Sequence, residues 1–170
     1  MNEKQFAIIC GAFGILVATL LSPMDQLFSE SVLFWGNLLA FWGPHLLILV
    51  LALALCLRGA YIAGILFALA LYLSLYGIWV FFYASPSDSL IWLGYWFSMP
   101  GAVIGEILLA IFVNKKRTYN AWVAWLIALT VISICIGANV AGTQASAQIR
   151  VLLLAMANIE STRMKSSTPS

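Results

Sequence analysis

Charge is what this chain has least of. Among 170 residues there are eight Lys or Arg, six Asp or Glu and one His, so charged side chains make up 8% of the chain. A soluble domain carries roughly a quarter. So few charges cannot cover a water-facing surface. With 64% hydrophobic residues and a mean hydropathy of +1.03, the apolar faces must be solvated by lipid. A polar stretch long enough for a soluble domain is also missing. Runs of about 20 apolar residues, the length that crosses ~30 Å of hydrocarbon, use nearly the whole chain. The net charge of +2 is too small to point to nucleic acid.

Catalytic sets are missing as well. No His, Asp, Glu and Cys cluster has metal-ligand spacing. No Ser sits in a nucleophile elbow, and no Gly-rich phosphate loop follows a strand. One His and one Glu inside apolar runs are too few groups for hydrolysis within the membrane. The chain therefore reads as non-enzymatic, without cofactor or metal. The three cysteines, Cys10, Cys56 and Cys135, lie inside apolar runs with no pairing signature. They are expected to be buried small apolar side chains.

What is present predicts an all-α membrane protein, a polytopic bundle forming one integral-membrane domain over residues 1–170. Five spans are expected, at 5–22, 37–57, 60–83, 90–113 and 121–141, with four as the alternative. Ser22-Pro23-Met24-Asp25 reads as a helix start, with Ser as cap, Pro in the first turn and Asp near the positive end of the dipole. It introduces a short helix at 24–35, with Leu27, Phe28, Ser31 and Trp35 on one face, lying in the interface. A second interfacial helix is expected at 145–160, because the apolar patch 151–157 is too short to span. A disordered tail is expected at 165–170.

The basic residues set an orientation. Lys4, Arg58 and Lys115-Lys116-Arg117 fall on one side, and Asp25, Glu30 and Asp88 on the other. The positive-inside rule then places the N-terminus in the cytoplasm and, with five spans, the C-terminus in the periplasm of a bacterial inner membrane. Arg150, Arg163 and Lys165 run against the rule but belong to the tail.

Residues 90–117 concentrate the unusual features and are expected to organise the rest. Pro100-Gly101 interrupts an apolar run there, as Gly43-Pro44 interrupts the second span. Both spans follow a Ser-Pro-x-Asp start, which gives a weak internal repeat. Pro44, Pro100 and Gly101 are therefore expected helix breaks, of the kind that lines a cavity or is covered by protein. Gly11, Gly14, Gly64, Gly101, Gly105 and Gly137 are expected to be close helix contacts. Glu106 lies about 12 Å inside the fourth span at helical rise. A carboxylate there must be protonated, hydrogen-bonded or beside water. Folding the fourth span on the fifth puts Thr130 opposite it, and folding the second on the third puts Tyr72 opposite His45. Two functional readings follow. In the first, a small inner-membrane protein binds another membrane protein, as an accessory subunit or an immunity-type protein against a membrane-active toxin. The lipid bilayer and either that partner or a homo-oligomer are then its surroundings. In the second, a small transporter or channel uses the broken spans with His45 and Glu106.

Overall fold

In the computed structural model, the described residues are 2–22, 31–83, 93–113 and 119–166. They form a helical bundle with five helices long and apolar enough to cross a membrane. Helix α1, Glu3–Leu21, starts at a reciprocal cap. Asn2 accepts from Lys4 N, and its own N–H donates to Gln5 Oε1 at 3.1 Å. Such pairs satisfy donors that the first turn leaves open. At the other end Ser22 N–H and Oγ both donate to Ala18 O.

Helix α2, Ser31–Ala54, holds Pro44 in its interior and remains one helix through it. The break expected at Pro44 is therefore absent. The missing donor is offset by packing, since Phe41, Pro44, His45 and Ile48 are all buried. The helix also begins earlier than expected. Residues 31–35 belong to it, and the rest of the interfacial helix expected at 24–35 lies outside the described residues. So do both Ser-Pro-x-Asp starts beyond Ser22, and the Lys115-Lys116-Arg117 cluster. Past Ala54 the chain turns at Cys56, which takes φ 52°. Leu57 N–H reaches Ala52 O and Cys56 N–H reaches Leu53 O, each at 3.0 Å. Such bonds, with a left-handed residue, close helix C-termini, a place where Gly usually sits. Cys56 is exposed and Cys135 half-buried, and only Cys10 is buried, so the expected burial of all three is corrected.

Helix α3, Gly59–Tyr83, is the centre of the bundle and packs on α1, on α2 and on the last helix. Residues 60–66 are buried without interruption, as in a helix that is apolar all round and encircled by others. The centre thus falls on this helix and not on 90–117. The fourth span is broken. A four-residue helix α4, Leu93–Trp96, turns through Phe97-Ser98 into α5, Met99–Leu108, which runs on as a π-turn, Leu109–Val113. Pro100 sits in the first turn of α5, where its lack of a donor costs nothing. The break therefore precedes Pro100-Gly101 by two residues.

Helix α6, Ala121–Ser166, is one helix of 46 residues. The interfacial helix expected at 145–160 is its continuation, and the helix reaches into the stretch expected to be a disordered tail, of which 167–170 lie outside the described residues. No Pro stands between 121 and 166, so nothing in this segment forces a stop. At one end of the bundle the Arg58 guanidinium pairs with the Glu3 carboxylate and donates to Tyr119 O at 3.3 Å. Glu3 Oε2 also accepts from Ala60 N–H at 3.4 Å. These bonds gather the starts of α1, α3 and α6 at one end of the bundle.

Candidate functional site

Two polar residues at membrane depth are sealed inside the bundle. His45 is 1% exposed and Glu106 0%. His45 Nδ1 lies 3.2 Å from the Tyr95 hydroxyl, so its partner is Tyr95 of α4 and not the expected Tyr72. Tyr72 stands one ring further out, stacked on Tyr95 at 5.8 Å. Gly14 of α1 makes room for the imidazole, because a Cβ there would stand 2.9 Å from His45 Cδ2. His45 Nε2 has no partner among the described residues.

Glu106 shares one face of α5 and its π-turn with Met99, Ala102 and Leu109, all buried. Neither carboxyl oxygen has a hydrogen-bond partner among the described residues. The expected partner Thr130 is exposed, so the Glu106–Thr130 bond does not form. His45 and Glu106 do not hydrogen-bond to one another, and neither is among the described residues lining the two hollows below. Among the described residues no group of three His, Cys, Asp or Glu could hold a metal ion.

The glycine contacts divide. A Cβ on Gly64 would stand 2.5 Å from Trp125 O, one on Gly101 2.6 Å from Cys135 O, and one on Gly105 2.7 Å from Ile132 Cδ1. These three set α3 and α5 against α6. Gly11 meets only Leu66 Cδ1, at an ordinary 3.5 Å, and Gly137 has nothing within 4 Å. Among the described residues Gly137 therefore has no close packing contact, and the expectation for it is corrected.

Its empty surroundings belong to a groove. Helices α3 and α6 meet closely at Gly64, and beyond it two adjoining hollows of about 450 and 350 Å³ share Tyr72, Leu75 and Val140. One section is aliphatic, with Leu71, Ile136 and Gly137. The other is aromatic, with Tyr76, Trp79 and Phe97. The chain break builds the back of this groove. It inserts Tyr95, whose ring packs on Tyr72 and Tyr76, and Ser98 Oγ donates to Tyr95 O at 2.7 Å. Asn139 of α6 donates to Phe97 O, which occupies a carbonyl freed by the break, as a membrane interior requires. Tyr95, Phe97 and Asn139 escape the sequence patterns because no periodicity joins α4 to the face of α3 it meets. Tyr72, Tyr76 and Trp79 do follow helical spacing on one face.

Comparison with family models, curated proteins and solved structures gives no match for this chain.

Proposed function

We propose that this is a non-enzymatic integral membrane protein that acts by binding another membrane protein, as an accessory subunit or an immunity-type protein against a membrane-active toxin. The supporting observation is the length of α6. Its membrane-crossing part is Ala121–Thr143, yet the helix continues to Ser166. The extra 23 residues reach about 35 Å at helical rise. The α6 contacts named above, with α3 and α5 at Trp125, Ile132 and Cys135 and with the turn before α5 at Asn139, fall in the crossing part. A helix of that length beyond the crossing part has little stability of its own in isolation, and a second polypeptide would give it a packing surface. The transporter reading needs His45 and Glu106 on one aqueous path, and both are sealed.

The test is co-purification in mild detergent, with a photo-crosslinker at exposed Ala145. The expected result is one discrete, stoichiometric polypeptide that crosslinks to the full chain and is lost from a chain ending at Thr143 with an unchanged melting temperature. Crosslinks to lipid alone would overturn the reading, and crosslinks to a second copy would replace it with self-assembly.

The same reading places the protein in a bacterial inner membrane with its N-terminus in the cytoplasm and its C-terminus in the periplasm, on the charge asymmetry of the loops. A reporter fused after Ser170 should be active in the periplasm, and one fused after Lys116 in the cytoplasm. Cytoplasmic activity at the C-terminus contradicts this orientation.

A further inference from the structure

We infer that α6 pairs with one helix of the partner in a coiled coil that begins in the membrane and continues past it. This rests on the reading above that a partner exists. It adds what that partner presents: a helix that crosses the bilayer, runs on beside α6, and carries an apolar seam with a carboxylate near its far end.

The seam of α6 follows from its sequence. Ala138, Gly142 and Ala145 stand four and three residues apart. The same alternation of four and three continues through Ile149, Leu152, Met156 and Ile159, and its next step falls on Arg163. This spacing keeps one line of a helix against a neighbouring helix. Helix α6 is one helix from Ala121 to Ser166, so the line is continuous. At ~100° of turn per residue, Arg150, Asn158, Ser161 and Lys165 fall on the other side, together with Val151 and Leu154.

Within the bundle this line is unoccupied by other helices. Ala138, Gly142 and Ala145 are exposed, and a Cβ on Gly142 would meet nothing within 4 Å. Residue size then changes as the surroundings do. In the crossing part, which ends at Thr143, the line is small, and small residues let helices approach closely in lipid. Beyond it the line is Ile, Leu, Met and Ile, whose removal from water drives pairing.

Two observations select the occupant. Bilayer lipid covers the line only along the crossing part. To lay the rest on the membrane surface, the chain would have to turn after Thr143, yet α6 continues as one helix with no Pro up to 166. A polypeptide is therefore the cover. Arg163 then argues against a second copy. Copies in one membrane share their orientation, so a seam between them would set Arg163 against Arg163, and facing like charges repel. A partner helix with Asp or Glu at that level meets Arg163 with the opposite charge.

The test uses the full chain purified with its partner in mild detergent. Photo-crosslinkers are placed singly at Ile149, Leu152 and Met156 on the line, and at Ala147, Leu154 and Asn158 off it. Crosslinks to the partner are expected from the first three and should be about fivefold weaker from the others. Leu152→Glu, which puts a charge into the apolar seam, should lower partner retention about tenfold. Leu154→Glu should leave retention nearly unchanged, and Arg163→Glu should lower it about threefold. All three variants should melt with the native chain. Equal crosslinking around the helix, or equal losses from Leu152→Glu and Leu154→Glu, would overturn the seam while leaving a partner in place. Crosslinks from the line to lipid would put the extension on the membrane and overturn it as well. Crosslinks between two differently tagged copies would make the occupant a second copy, against this inference. If no polypeptide co-purifies at all, the reading above fails and the inference fails with it.

Discussion

Gly64→Leu should lower the stability of the bundle by about 3 kcal/mol, the upper part of the range for overpacking. The argument is about what the new side chain meets. A Cβ at Gly64 would stand 2.5 Å from Trp125 O, 2.8 Å from Ala128 Cβ and 3.2 Å from Leu129 N. Two of these atoms are backbone of α6, and neither can move without the helix. Leu would push α3 from α6 where their backbones come closest, and α3 is the helix on which α1, α2 and α6 all pack. Gly105→Leu should cost less, about 1 kcal/mol, because its nearest contact is Ile132 Cδ1, the far end of a flexible side chain, and the next lies at 3.4 Å. Gly137→Leu should be silent, with nothing within 4 Å. Thermal melts of the three variants in one detergent give the order. A larger loss at Gly105 than at Gly64 would show that α5 and not α3 holds the bundle together.

The order differs from what spacing alone gives, since Gly101 and Gly105 stand out most in the sequence. Small residues four apart mark a helix face but not which neighbour it meets or how closely. The five crossing helices were legible because each run of about 20 apolar residues leaves no alternative in lipid. The Glu3–Arg58–Tyr119 cluster gathers the starts of α1, α3 and α6 at one end, as alternation of consecutive spans requires. Residue-to-residue pairing was not legible. Folding α2 on α3 about residues 58–59 puts Tyr72 near the depth of His45, but depth does not fix rotation about the helix axis. Tyr95, carried in by the break at Phe97-Ser98, takes the hydrogen bond instead. The continuation of α6 past Thr143 was illegible for another reason. Polar residues from 142 to 150 end an apolar run, but without Pro they do not end a helix.

Glu106→Leu should raise the stability of the protein by about 1–3 kcal/mol, the cost of burying a polar group without a partner. Glu106 is 0% exposed, and both carboxyl oxygens lack a hydrogen bond among the described residues. Met99, Ala102 and Leu109 on the same face are buried and apolar, so Leu, of similar size, continues a surface already there. The sign depends on Thr130. Had Thr130 bonded to Glu106, Leu would strand the hydroxyl, and stability would fall by under about 1 kcal/mol, the average for side-chain bonds between membrane helices. Thr130 is instead exposed, and Leu removes an unpaired group without creating another. Glu106→Gln should change stability little, because the amide inherits the same partnerless pocket. Melting temperatures of the two variants in detergent separate the cases: a rise for Leu with little change for Gln fits a sealed, unpaired carboxyl. A fall for Leu would mean that the side chain holds something in the membrane, a water, a proton path or a cation. That outcome would return to the transporter reading the site it now lacks.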